Sequence, residues 1–307
     1  MGEYEKVAEV YSGTMKYKIA KHNFKRFVLL FLFLLSTPPS VLFKIIKKSR
    51  EPLPKISTRV SKNGKFSGFH NDYMTLAIHD KGSMEPYFHE ITNVLINRND
   101  IILDVGANIG THSVILARKA KLGKVYAFEP QSVAFSILQN NIIYNDLSNV
   151  VALHYAITAL DNHTVSMDNF SFVGGGRINN GSLRLSNYKN NKIIGEVSLS
   201  RTIDSFDFKS VNFIKMDIQG SEVMALAGAK KTIKKSRPII FIEIEYIHLE
   251  ALGYSSKELE AKIRSFQYAI YRINVNPFYD HLCVPIEEVS TFEKRIKNKF
   301  SFTMTKI

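Results

Sequence analysis

Residues 102–117 read ILDVGANIGTHSVILA. An apolar, β-branched run ends in Asp104, glycines follow at 106 and 110, and a helical pattern opens at Thr111. Strand, tight turn and helix N-terminus in that order make a nucleotide-binding unit. Glycine lets the backbone approach a ligand closely, and the free amides at the helix start favour electron-rich groups. The next apolar run, VYAFEP, closes on Glu129, nineteen residues after Gly110, where a carboxylate can accept hydrogen bonds from both hydroxyls of a ribose.

The spacing selects the nucleotide. A dinucleotide fingerprint places its glycines two and then three residues apart; here the run is Asp104-x-Gly106-x-x-x-Gly110, and Asn108 would crowd a pyrophosphate. An acidic residue at the strand end also suits an α-ammonium better than a phosphate. That combination fits S-adenosylmethionine, with Asp104 near its amino acid moiety and Glu129 on its ribose. The candidate cofactor set is Asp104, Gly106, Asn108, Gly110, Thr111, Glu129 and Pro130.

Outward from this unit, short apolar runs alternate with helical patterns, which predicts a doubly wound α/β fold with a mostly parallel, Rossmann-like sheet. Strands are expected at 101–105, 124–128, 150–157, 213–217 and 239–244, and two later ones, near 268–273 and 281–284, complete seven. Helices are expected at 84–96, 111–120, 132–145, 221–235 and 256–266. Residues 158–202 form an insertion with glycines 174–176 and an Asn-Gly pair at 180–181, read as a β-hairpin excursion. Residues 51–65, rich in Pro, Ser and Lys, read as a linker. The expected domains are an N-terminal arm over 1–65 and an enzyme domain over 66–307.

The single cysteine, Cys283, excludes an internal disulfide and a Cys-only zinc cluster. The net charge of +13 is concentrated at one end: residues 1–60 hold twelve Lys and Arg against four acids, leaving 29 bases and 24 acids for the rest. The basic excess therefore describes the arm, and no nucleic-acid partner is expected from it. Within the arm, FVLLFLFLL over 27–35 is followed by Pro38–Pro39 and a basic stretch. Even 27–43 falls short of the roughly 20 residues a spanning helix needs, and the proline pair interrupts it. A tilted span, a cleaved signal, an interfacial anchor over 27–46 and a buried helix all remain open readings. A cytoplasmic enzyme is the expectation, with membrane contact through 27–46 one of these open readings.

DVGANIGTHS, VYAFEP, FIKMDIQGSEVMALAGAKKTI and RPIIFIEIE, in that order over residues 98–248, resemble the successive motifs of FkbM-type methyltransferases, which use S-adenosylmethionine. The resemblance implies O-methylation of a hydroxyl on a sugar, glycan or other small molecule. The family usually carries an acidic residue where Gln219 stands, so a role needing a carboxylate there is not carried over.

Methyl transfer to an alcohol needs alignment of acceptor and cofactor, and a base for the hydroxyl proton. In an open α/β sheet those groups lie at the carboxyl ends of the strands. Asp217, Glu243 and His248 are the catalytic candidates, with His248 expected in a loop beyond the fifth strand. Glu222 reads as a structural carboxylate at a helix start. Asp217, Glu222 and Glu243 could together take a divalent ion, but nothing in their spacing requires one. His112, and Arg177, Asn179 and Asn180 in the insertion, are further polar residues near the expected site. Two other classes stay open: a nucleic-acid methyltransferase, which would need a basic groove with stacking aromatics, and a membrane-associated scaffold that kept the fold without turnover.

Overall fold

Strand runs such as IILDV and FIKM carry apolar side chains at successive positions, the pattern of strands covered on both faces. In the computed structural model, which describes residues 56–61, 63–70, 72, 75–78, 85–167, 196–275 and 280–307, these runs form the centre of one sheet. The order of elements is β1 (Ile56–Ser61), β2 (Gly64–Phe69), α1 (Pro86–Leu95), β3 (Ile101–Val105), α2 (Thr111–Lys119), β4 (Lys124–Phe128), α3 (Ser132–Tyr144), β5 (Val150–Leu153) and β6 (Ala156–Ile157). There follow β7 (Thr164–Met167), β8 (Glu196–Arg201), β9 (Phe213–Met216), α4 (Glu222–Ala227), α5 (Lys230–Ser236), β10 (Ile239–Glu243), α6 (Tyr246–Ala251), α7 (Ser256–Ser265), β11 (Tyr268–Ile273), β12 (Asp280–Pro285), α8 (Val289–Ile296) and β13 (Met304–Lys306).

The large sheet has the order β13-β11-β12-β10-β9-β3-β4-β5. From β10 to β5 neighbouring strands are parallel; β12, β11 and β13 pair antiparallel at the other end. The chain runs outward from β3 through β4 to β5, then returns to β9 beside β3 and continues to β10. The switch point is therefore the β3/β9 boundary, where a crevice opens at the strand ends. The doubly wound α/β class is as expected, with eight strands instead of seven. The additional strand is β13, whose three residues pair with the edge of β11 and are too few to show a periodic pattern.

Period-two alternation sends side chains to two cores. Leu103, Val105, Ile214, Met216, Ile240 and Ile242 pack on one face with residues of α4, α5 and α7. Ile102, Phe213 and Phe241 pack on the other with residues of α1, α2 and α8.

Several boundaries differ from the sequence reading, each for a tertiary reason. The segment read as a linker over 51–65 contains β1, which pairs antiparallel with β2. That hairpin is tied to α3 by two asparagine amides: Asn141 exchanges hydrogen bonds with the backbone of Ser67, and Asn145 with that of Lys65. The strand expected over 150–157 divides, because β5 continues the large sheet while β6 turns off to pair with β8. The helix expected over 221–235 breaks at Gly228, where a β-carbon would stand 2.1 Å from the Thr158 carbonyl oxygen. The insertion supplies the expected antiparallel pair as β7 and β8. Its glycine and Asn-Gly runs, together with Arg177, Asn179 and Asn180, lie outside the described residues, as does the arm with its apolar segment. No described helix is long and apolar enough to cross a membrane.

Candidate active site

The turn between β3 and α2 is built by backbone geometry. Gly106 and Gly110 have φ of +81° and +88°, and a β-carbon on Gly106 would lie 1.9 Å from the Asp217 carbonyl oxygen. Only glycine permits both the left-handed conformation and that approach. Asn108 is left-handed too, at φ +50°, a conformation asparagine tolerates, and its side-chain oxygen accepts from the Ile109 amide. The turn is anchored to the end of β4: the amides of Gly106 and Ala107 both donate to the Phe128 carbonyl.

Glu129 sits just past that strand end, 7% exposed. Its carboxylate accepts the Asn108 amide at 2.8 Å on one oxygen and the Gln131 amide at 2.9 Å on the other. Both oxygens are thereby oriented, and each keeps a lone pair for a further donor. Burial pushes the Glu129 carboxyl up to about 7, against the pull of the two amides and of Lys215. Beside it lies an apolar slot of about 360 Å³, counting its open mouth, lined by Gly106, Phe128, Pro130, Ala156 and Ile218 among others. Ser221 also lines it; it is 1% exposed, and its Oγ has no hydrogen-bond partner among the described residues. An apolar slot, an oriented carboxylate and an orphaned hydroxyl fit an adenosine: a flat ring in the slot and ribose hydroxyls on Glu129.

The second half of the site follows from sheet register. Asp104 and Lys215 are register partners on β3 and β9, as are Glu243 and Asp280 on β10 and β12. Asp217 lies one residue past β9, on the same side as Lys215. These five form a charged row across the strand ends, on the face that carries Ile102, Phe213 and Phe241. Lys215, 2% exposed, donates to the Gly106 carbonyl at 2.9 Å and lies 3.6 Å from both Asp104 Oδ1 and Asp217 Oδ2. Burial alone would lower its pKa, but the surrounding carboxylates hold it above its ordinary value. Asp104 is fully buried, taking the Ser113 hydroxyl on its other oxygen. Asp280 accepts a hydrogen bond from the Tyr87 hydroxyl, and His112 pairs with Glu85 at 3.1 Å.

Exposure separates this row into an inner and an outer part. Asp104 and Lys215 are closed off, whereas the side chains of Asp217, Glu245, Glu243 and His248 are 29%, 25%, 16% and 15% exposed. His248 lies within α6 and not in a loop as expected, because the chain turns into a helix directly after β10. That turn brings its Nδ1 to 3.2 Å from Glu245 and 3.9 Å from Glu243. Burial is the largest influence on Asp217 and opposes ionisation; Lys215, Gln219 and His112 outweigh it and hold the carboxyl below its ordinary value. Glu243 is pushed well above its ordinary value by burial and by Asp217, Asp280, Glu222 and Glu245.

Glu222 lies near Glu243 but is tied to the backbone. It is 1% exposed and accepts the amides of Ile218 and Gly220, which closes the turn after β9. The trio Asp217, Glu222 and Glu243 is thus not assembled around one point. Among the described residues, the donors that do converge are Glu243, Glu245 and His248, within 4.8 Å of one another. Lys215, Asp280, Tyr87 and Glu85 were missed by the sequence reading. A lysine inside the buried run FIKM was the available signal, since a lone buried cation demands carboxylate partners.

The sequence model of the FkbM methyltransferase domain matches residues 104–270, over half of the chain. The chain belongs to the FkbM methyltransferase family. This FkbM domain is 29% identical over 148 residues to the hexuronic acid methyltransferase AglP of Haloferax volcanii, covering 48% of this chain and 56% of that protein. It is 27% identical over 166 residues to the 2-O-methyltransferase NoeI of Sinorhizobium fredii, covering 51% and 67%. Among solved structures, an FkbM methyltransferase from Methylobacillus flagellatus is similar at 20% identity and a TM-score of 0.44, over 69% of this chain and 53% of that one.

Proposed function

We propose that this protein is an S-adenosylmethionine-dependent O-methyltransferase acting on a hydroxyl of a sugar, glycan or other small acceptor. The observation that carries this reading is the juxtaposition of two sites at one switch point: the adenosine-fitting slot with Glu129, and the Asp217–Glu243–His248 group at neighbouring strand ends. The AglP and NoeI relatives, named for hexuronic acid and 2-O methylation, support a sugar acceptor.

S-adenosylmethionine supplies an activated methyl group on a sulfonium. Glu129 and the slot would hold its nucleoside. Asp217, kept ionised by Lys215, would take the proton of an acceptor hydroxyl placed beside the methyl group that bound S-adenosylmethionine would supply. His248 and Glu243 border the same opening and orient the acceptor through hydrogen bonds. Asp104, enclosed by Ser113 and Lys215, supports the turn and fixes the lysine without reaching the ligand. The expected boundary at 66 falls inside β2, so the enzyme domain takes in β1 as well; it is cytoplasmic in this reading, with 27–46 as a membrane contact, and flotation of the full chain with anionic vesicles tests that segment, no enrichment removing it.

Calorimetric titration of the full chain with S-adenosylmethionine, with NAD as control, tests the central claim. Saturable binding of the first alone supports it and justifies a screen of sugar acceptors. A folded protein that binds neither refutes it.

A further inference from the structure

Gln219 occupies the turn between β9 and α4 at φ +55° and is 8% exposed. Its Nε2 donates to Asp217 Oδ1 at 2.8 Å and to Glu243 Oε2 at 3.0 Å. An amide NH2 carries two hydrogens and no charge, so one nitrogen satisfies a lone pair on each of two carboxylates. An ionised carboxylate at 219 would offer no donor and would add a third negative charge. We propose that Gln219 is a positioning residue that binds Asp217 and Glu243 into one proton-sharing pair, with Asp217 as the ionised member and Glu243 as the protonated one. What the pair is for rests on the methyltransferase reading; that the pair exists does not.

The surroundings favour that division. Lys215 on β9 and His112 on α2 face Asp217 with positive or ionisable nitrogen, while Asp280 on β12, Glu222 on α4 and Glu245 at the start of α6 face Glu243 with carboxylates. Glu85, ahead of α1, adds its charge to the Lys215 and Asp280 side of the row. His248 borders Glu243 from α6. Two carboxylates this close ionise together only at a large cost, so one of them keeps a proton. The amide holds both in place from one nitrogen, and it leaves Asp217 Oδ2 on the lysine side. The left-handed turn, closed by Glu222 and Gly220, aims the amide back across β9 and β10. Gln219 acts through the pair, so its effect should appear in the proton affinity of the pair before it appears anywhere else.

Carbon-13 carboxyl titrations of the full chain, native against Gln219→Leu and Gln219→Asn, test this. Leu removes both donors; Asn suits the left-handed turn and shortens the reach by one methylene, so it keeps the test open should Leu fail to fold. The expected result in either folded variant is that the Asp217–Glu243 pair takes up its first proton at a higher pH than in the native chain. Titrations superimposable on the native ones overturn the proposal. So does a loss of about tenfold or more in S-adenosylmethionine affinity, about 1.4 kcal/mol, with the pair unmoved, which would place Gln219 at the cofactor instead. A native chain that binds no S-adenosylmethionine yet shows the shifted pair refutes the methyltransferase reading and leaves this inference standing.

Discussion

Glu129 shows how much one side chain can carry. Its two internal hydrogen bonds point both oxygens in advance, and hydrogen bonds to a charged group contribute about 1.5–3 kcal/mol each. Glu129→Ala should therefore weaken S-adenosylmethionine binding by roughly 10- to 100-fold in calorimetry; unchanged affinity would remove it from the cofactor site. Because its carboxyl is raised to about 7 and ribose hydroxyls favour the ionised form, affinity should rise as pH passes upward through about 7. Asp217→Asn should leave that affinity nearly intact while lowering turnover by about 10²- to 10⁴-fold, the usual contribution of a positioned base; a fully active variant would exclude Asp217 as the base. Glu129 and Asp217 were legible from the chain because each terminates an apolar run. Asp280 was not, because it opens its strand and is matched to Glu243 only by antiparallel register.

At the scale of elements, β3 and β9 are joined by more than their ladder. Lys215 spans the boundary between them, and its ammonium is the described cation that compensates both Asp104 and Asp217. Removing one partner of a buried ion network leaves uncompensated charge, at a cost of about 3–5 kcal/mol. Lys215→Met should lower unfolding stability by that amount in urea titration, and Asp104→Asn combined with it should recover part of the loss. A lysine variant as stable as the native chain would contradict the network. The helix break at Gly228 and the division of the strand over 150–157 were invisible in periodicity. Both depend on where a distant backbone passes, namely the Thr158 carbonyl and the strand β8.

For the whole molecule, buried carboxyls set the response to pH. Glu129 and Glu222 are both raised from 4.5 to about 7 by burial. Below about 4.5 they are protonated in folded and unfolded chains alike and contribute nothing; above about 7 they are ionised in both, and folding bears the full cost of burying the charge. That cost is on the order of 3 kcal/mol each. Glu243 and Asp280, also raised, act in the same sense. Asp217, held low, acts oppositely: its contribution is present above its unfolded value and is lost as pH falls through its folded one. Stability measured in urea should thus fall between about pH 4.5 and 7. A curve rising across that window would show that these carboxyls are not buried as described.

The sequence by itself determined the glycine turn after β3, the carboxylate past β4, the α/β class and the family. Each of these is a local arrangement in which residue type and spacing along the chain carry the physics. Only the tertiary structure decided that Asp104 is enclosed and that Lys215 links two carboxylates. It also turned Glu222 onto backbone amides and placed the Gln219 amide between Asp217 and Glu243. Those are matters of strand order and register. Residues up to 111 positions apart, Asp104 and Lys215 among them, become neighbours only when β9 returns to lie beside β3.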